Sequence, residues 1–305
     1  MNWILFALLA PLLFSISSFI DRFLVSKYFR SSSGALIIYT GLIGIPIFML
    51  IFLFDHSVIS INPIIALLII INSFLIIGYL FPYYAAIKRA DVSSIIPLFQ
   101  LIPIFNFILA FFILKETLSL AQIGAASLII IGALGISFNL NKKIRLKKEV
   151  LGLMLLVALM ISINAIVFKF FAIDLDFWTV SFWQYAGFFI FVMSLLLFSR
   201  KYRVDLVDSF KKNRNAIIWL NALNETLNVS AAIIFTYAAL HAPVAIISAI
   251  NGLGSVFVFV IGILMSLFLP KLIKEDLSTR TITQKIVSII IILIGGYLLS
   301  QTFVG

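Results

Sequence analysis

Residues 66–81 read ALLIIINSFLIIGYLF, and that stretch decides the fold. It is apolar almost without interruption. A membrane barrel strand would alternate polar and apolar residues. An open sheet would leave backbone groups unpaired in lipid. A helix remains, and roughly 20 apolar residues of helix cross about 30 Å of hydrocarbon. Comparable runs recur along the 305 residues, at 3–25, 34–54, 64–86, 92–114, 119–139, 149–170, 178–199, 215–238, 242–269 and 283–300. The expectation is an all-α integral membrane protein with ten transmembrane helices.

The totals agree. Apolar residues make up 63% of the chain and charged residues 11%, too little charge to coat a soluble protein of this size. A disordered chain would need the opposite balance. With no cysteine and only His56 and His241 as histidines, thiol catalysis and cysteine-ligated metals are excluded. No metal, cofactor or enzyme activity is expected. The start, MNWILFALLAPLLFSISSFIDRFLVSKYF, has no Lys or Arg before Arg22 and reads as a permanent span rather than a signal peptide.

A net charge of +10 would suit nucleic acid, but its placement argues against that partner. Every Lys and Arg except Arg22, Lys115 and Lys169 lies in or beside alternate joints between spans. Positive residues stay cytoplasmic. That bias expects a multi-pass protein of the cell inner (plasma) membrane with both termini outside the cytoplasm. The basic joints at 142–148 and 200–214 are placed to meet anionic membrane lipids.

Two segments align without a gap: NSFLIIGYLFPYYAA from Asn72 and ETLNVSAAIIFTYAA from Glu225. A weaker match sets FIDRFLVSKYF against IVFKFFAIDLD, with Arg22 opposite Lys169. Together they suggest one five-helix unit used twice: residues 1–140, a basic linker at 141–148, and residues 149–305. Five is odd, so the copies would be inverted, with a site at their interface near mid-membrane.

The stretch AAIKRADVSSIIPLFQLIPIFNFILAFFILKETLSLAQIGAASLIIIGALGIS, residues 85–137, resembles the second part of an EamA domain. The marks are a small-residue turn before a span with Pro97 and Pro103, then Lys115-Glu116-Thr117, then a span with Gly124, Gly132 and Gly135. Residues 238–278 are a diverged second copy, with extra residues before Lys274-Glu275. EamA-domain transporters belong to the drug/metabolite transporter superfamily. The resemblance implies ten spans in two inverted five-helix repeats and the movement of small metabolites. It also implies termini in the cytoplasm, where the charge bias argues the reverse.

An ionisable group inside a span faces a cavity or a partner by default. Glu225 is the sharpest case. Asn221, Asn224 and Asn228 share its helix face by their three- and four-residue spacing. Glu225 could bind a cationic group, carry a proton, or serve as a structural carboxylate. Lys169 and Arg22 lie near span ends, where they could meet an anionic substrate or snorkel to the interface. Asn72, Tyr79 and Tyr83 can line one face of the third span. Trp183 and Gln184 lie inside the seventh, and Gln100 and Asn251 in the fourth and ninth. Lys115-Glu116 reads as a helix end.

The expected function is secondary transport of a small polar or amphipathic metabolite, amino-acid-like or drug-like, by alternating access, with or without a coupled proton. The alternative is a flippase-like carrier of an amphipathic or lipid-linked molecule. Monomer and homodimer are both open.

Overall fold

A computed structural model describes residues 2–27, 34–87, 89, 95–137, 148–211, 214–268 and 278–302. The first helices are α1 (Asn2–Lys27), α2 (Gly34–Leu42), α3 (Gly44–Phe54), α4 (Pro63–Gly78) and α5 (Leu80–Ile87). A 3-10 turn (Ile96–Gln100), α6 (Leu101–Leu109) and a π turn (Ala110–Leu114) then follow one another directly, and α7 (Leu120–Ser137) begins after a non-helical joint at 115–119. The rest of the chain forms α8 (Lys148–Asp174), α9 (Phe177–Phe198), α10 (Arg200–Lys211), α11 (Arg214–His241), α12 (Val244–Asn251), α13 (Gly254–Phe268) and α14 (Thr279–Gln301).

Proline explains several breaks. It removes a donor and clashes with the carbonyl four residues earlier. Pro46 meets the end of α2 at Leu42, and Pro82 meets the end of α4 at Gly78. Pro103 meets Phe99, where the 3-10 turn gives way to α6. Helix starts are capped by side chains: Asn62 accepts from Ile64 N at 2.9 Å before Pro63, and Asp176 accepts from Trp178 N at 2.7 Å and Thr179 N at 2.9 Å. Lys115, at φ 57°, turns left-handed and ends the π turn.

The ten-span expectation is corrected. Among the described residues six helical stretches are long and apolar enough to cross a membrane: Gly34–Phe54, Pro63–Ala86, Lys148–Asp174, Phe177–Phe198, Val244–Ser266 and Thr279–Gln301. In the first, fourth and fifth expected spans the described residues give shorter apolar stretches: Leu8–Asp21 inside the 26-residue α1, Leu98–Leu114 and Leu120–Ile136. The eighth falls within α11, a helix of 28 residues whose apolar run is broken by Asn221, Asn224, Glu225 and Asn228. Six such stretches do not make two inverted five-helix repeats, and that expectation is corrected with the count. The Lys274-Glu275 joint and most of the 141–148 linker lie outside the described residues.

Packing follows small side chains. Between helices in lipid, close van der Waals contact and hydrogen bonds replace the hydrophobic force. α7 lies along α14, and α1 along α11. A Cβ on Gly132 would stand 2.6 Å from Ile292 Cγ1 and 2.8 Å from Ser288 O, so the two backbones meet only because it is absent. Ile129, Ala133, Ile246, Ile247 and Ile292 form the largest buried cluster, joining α7, α12 and α14.

Candidate functional site

Glu225 projects from α11 into the junction with α1 and α2. It is buried, and Thr40 Oγ1 donates to its Oε1 at 2.7 Å. One residue earlier, Asn224 Nδ2 donates to Asp21 Oδ1 at 2.7 Å, while Ser17 Oγ donates to Asn224 Oδ1 at 2.7 Å. Asn221 is buried on the same face; Asn228 is half-buried. The predicted polar stripe therefore meets a second stripe on α1. Among the described residues, no cation lies within ion-pair distance of Glu225 or Asp21. Two carboxyl groups with hydrogen-bond donors and no counter-ion can hold a proton or a cationic group.

Sequence reasoning missed Asp21, Ser17 and Thr40 as members of this junction. A usable signal existed for two of them. Ser17 and Asp21 are four residues apart on α1, hence on one face. Nothing local marked Thr40.

Lys169 is engaged elsewhere. Its Nζ lies 2.7 Å from Glu116 Oε1 and donates to Ala242 O at 2.8 Å. Glu116 Oε2 accepts from Val244 N at 3.0 Å, the first amide of α12. The pair therefore clamps α8, the joint after the π turn and the start of α12. Ala242 follows Glu225 by 17 residues, roughly 25 Å along a helix axis, so the two charges are not brought together. The Arg22 side chain lies outside the described residues.

Two further polar groups bridge helices. Asn72 Nδ2 donates to Asn164 O at 3.3 Å, and Asn164 Nδ2 donates to Asn72 O and Gln184 Oε1 at 3.2 Å each. Asn72 Oδ1 is buried without a hydrogen-bond partner. Asn164, inside an apolar run of α8, was also missed. At the crossing of α6 and α12, Asn106 Nδ2 donates to Ser248 Oγ. Gln100 Oε1 and Asn251 Oδ1 are buried without partners at the nearby helix breaks, and Gln100 Oε1 lies 3.2 Å from where a Gly252 Cβ would stand.

The aromatic candidates divide. Trp183 Nε1 donates to Val58 O at 2.9 Å, fastening α9 to the turn after α3. Tyr79 and Tyr83 pack together with ring centroids 6.4 Å apart, and Tyr83 packs on Tyr84 at 5.6 Å and Phe99 at 5.4 Å. Tyr84 also packs against the buried Leu24–Ala35–Leu36 cluster, which includes Ile20 and Leu220 of the Glu225 junction helices. Among the described residues no three His, Asp or Glu side chains converge as metal ligands do.

The chain is similar to known transporters in part. A sequence model of the EamA-like transporter family matches residues 1–138, under half of the chain. A solved crystal structure of a protein at 16% identity covers 99% of this chain and 98% of its own, with a TM-score of 0.68. That likeness is one of fold. No curated protein sequence matches. An all-helical, multi-span fold with an EamA-like first part supports a small-molecule membrane transporter in general terms.

Proposed function

We propose that this protein is a secondary carrier for a small polar metabolite, amino-acid-like or drug-like, working by alternating access with Glu225 as its proton- or cation-binding group. The observation that carries this reading is the buried Glu225 carboxyl, held by Thr40 beside the Asp21–Asn224 pair and lacking a counter-ion among the described residues. A carboxyl left unpaired in a low-dielectric site is costly unless a ligand or proton compensates it. The charge bias of the joints further supports a plasma-membrane orientation with the basic joints at 88–89, 142–148 and 200–214 on the cytoplasmic side.

The test is reconstitution into liposomes with an imposed pH gradient and a panel of amino acids and amines. Wild type accumulates substrate against its gradient. Glu225→Gln retains exchange and loses most of the gradient-driven component. If the gradient changes nothing in either form, the coupling role of Glu225 is wrong.

One observation favours an amphipathic cargo. A cavity of about 420 Å³ opens sideways between α4, α8 and the π turn, lined by Leu68, Leu75, Ile113, Phe170 and Phe171, with Asn72 as its polar residue. Its walls suit a hydrocarbon tail, and a leaflet-accessibility assay separates this cargo from a water-soluble one.

A further inference from the structure

A second cavity lies beside two of the basic joints, with Arg89 from one and Lys201 from the other in its wall. It lies between the start of α2, α5 with Arg89, and α10, and its volume is about 190 Å³. Phe81, Tyr84, Arg89, Lys201 and Tyr202 line it. Two cations, two tyrosines and an apolar wall therefore share one small hollow.

Both cations are available to a ligand. Arg89 Nη1 donates to Ala85 O at 2.9 Å, which pins the guanidinium over the last turn of α5 and leaves its other N–H groups. Its Nε lies 3.7 Å from Glu149 Oε2, but these side chains are 47% and 77% exposed, so water competes for the pair. Lys201 is exposed and has no ion partner among the described residues. Arg203 is spent differently: its Nη1 donates to Leu196 O at 2.6 Å and Leu197 O at 2.8 Å, capping α9. The Asp205 carboxylate fills the space where a Gly34 Cβ would stand. Its Oδ2 is buried there without a hydrogen-bond partner, and the positive groups in the cavity wall are the side chains of Arg89 and Lys201.

The surroundings choose the ligand's source. α10 is a short amphipathic helix directly following the membrane-spanning α9. Val204 and Val207 stay exposed on it, 46% and 52%, beside Arg200 and Lys201. Exposed apolar and basic residues on one short helix mark an element lying in the headgroup layer. The geometry points to a site for the phosphate of an anionic phospholipid, held by Arg89 and Lys201, with its glycerol and chain ends against Phe81 and the valines of α10.

The probe is thermal unfolding of the full chain in neutral detergent, titrated with phosphatidylglycerol, phosphatidylcholine or inorganic phosphate. Phosphatidylglycerol should raise the Tm by several degrees and saturate, and phosphatidylcholine should not. The Arg89→Gln/Lys201→Gln double variant should lose most of that shift, Lys201→Arg should keep it, and Lys148→Gln, a basic residue outside the cavity, should keep it too. An undiminished shift in the double variant overturns the site. An equal shift with phosphatidylcholine overturns the phosphate chemistry, and an equal shift with inorganic phosphate overturns the lipid as its source. Uptake is not the readout, so failure here leaves the Glu225 reading standing.

Discussion

Lys169 and Glu116 are the one closely paired, largely buried charge couple among the described residues. Their worth lies in what each leaves behind when the other goes. Removing one partner of a buried pair costs about 3–5 kcal/mol, because the remaining charge is uncompensated. Lys169→Met should therefore destabilise the protein by that order, and Glu116→Gln/Lys169→Met by clearly less, in chemical unfolding in detergent. Equal losses in the two would mean that the pair is not coupled. Asp55, at the exposed joint after α3, gives a pH prediction. Its Oδ1 accepts from Ser57 Oγ at 2.6 Å and Ser57 N at 2.8 Å, and these bonds hold the carboxyl below its ordinary value. Its contribution is thus complete above the ordinary carboxylate range and fades as pH falls through the lowered one. Asp55→Asn should lessen the drop in Tm below about pH 4, a small effect because the group is exposed. The local signals for these residues differed. Asp55-x-Ser57 is a turn pattern visible in the chain, and Lys115-Glu116 was legible as a helix end. That Glu116 reaches Lys169 was not, because 53 residues separate them.

At the scale of the element, α7 and α14 make a sharp test of packing against propensity. Gly132 has no room for a side chain, whereas nothing stands within 4 Å of a Cβ on Gly124 in the same helix. Gly132→Val should cost about 1–3 kcal/mol through overpacking. Gly124→Ala should instead stabilise by roughly 0.5–1 kcal/mol, since glycine is the poorer helix former. Unfolding of both variants in one detergent decides it: a neutral Gly132→Val would mean the helices do not touch there. The sequence marks the two glycines alike, because composition cannot tell which side of a helix meets a neighbour. The helix breaks are local by contrast, since Pro46, Pro82 and Pro103 act on carbonyls four residues earlier in their own chain.

For the whole molecule, orientation is the property most open to direct measurement. The chain has no cysteine, so single-cysteine variants label cleanly. Ser60 lies exposed in a joint without Lys or Arg, and Lys148 lies exposed beside the basic linker. An impermeant thiol reagent should label Ser60→Cys in intact cells and Lys148→Cys only after permeabilisation. The reverse pattern would turn the protein over and discard the charge-based orientation. The count of spans was the larger error of sequence reading. α11 is a single helix of 28 residues whose apolar run is interrupted by Asn221, Asn224, Glu225 and Asn228, and it is not among the six stretches.

The amino-acid sequence alone determined that the chain is helical and membrane-embedded and that Glu225 sits on a polar face with Asn221 and Asn224. Each of these follows from local chemistry: hydrocarbon admits only backbone that bonds within itself, and helical periodicity sorts residues three and four apart. Only the tertiary structure decided that Thr40 meets Glu225 across 185 residues, that Asn224 meets Asp21 across 203, and that Lys169 is bound to Glu116. Periodicity tells which residues share a face. Which other face it meets depends on how whole helices pack, and no single helix carries that information.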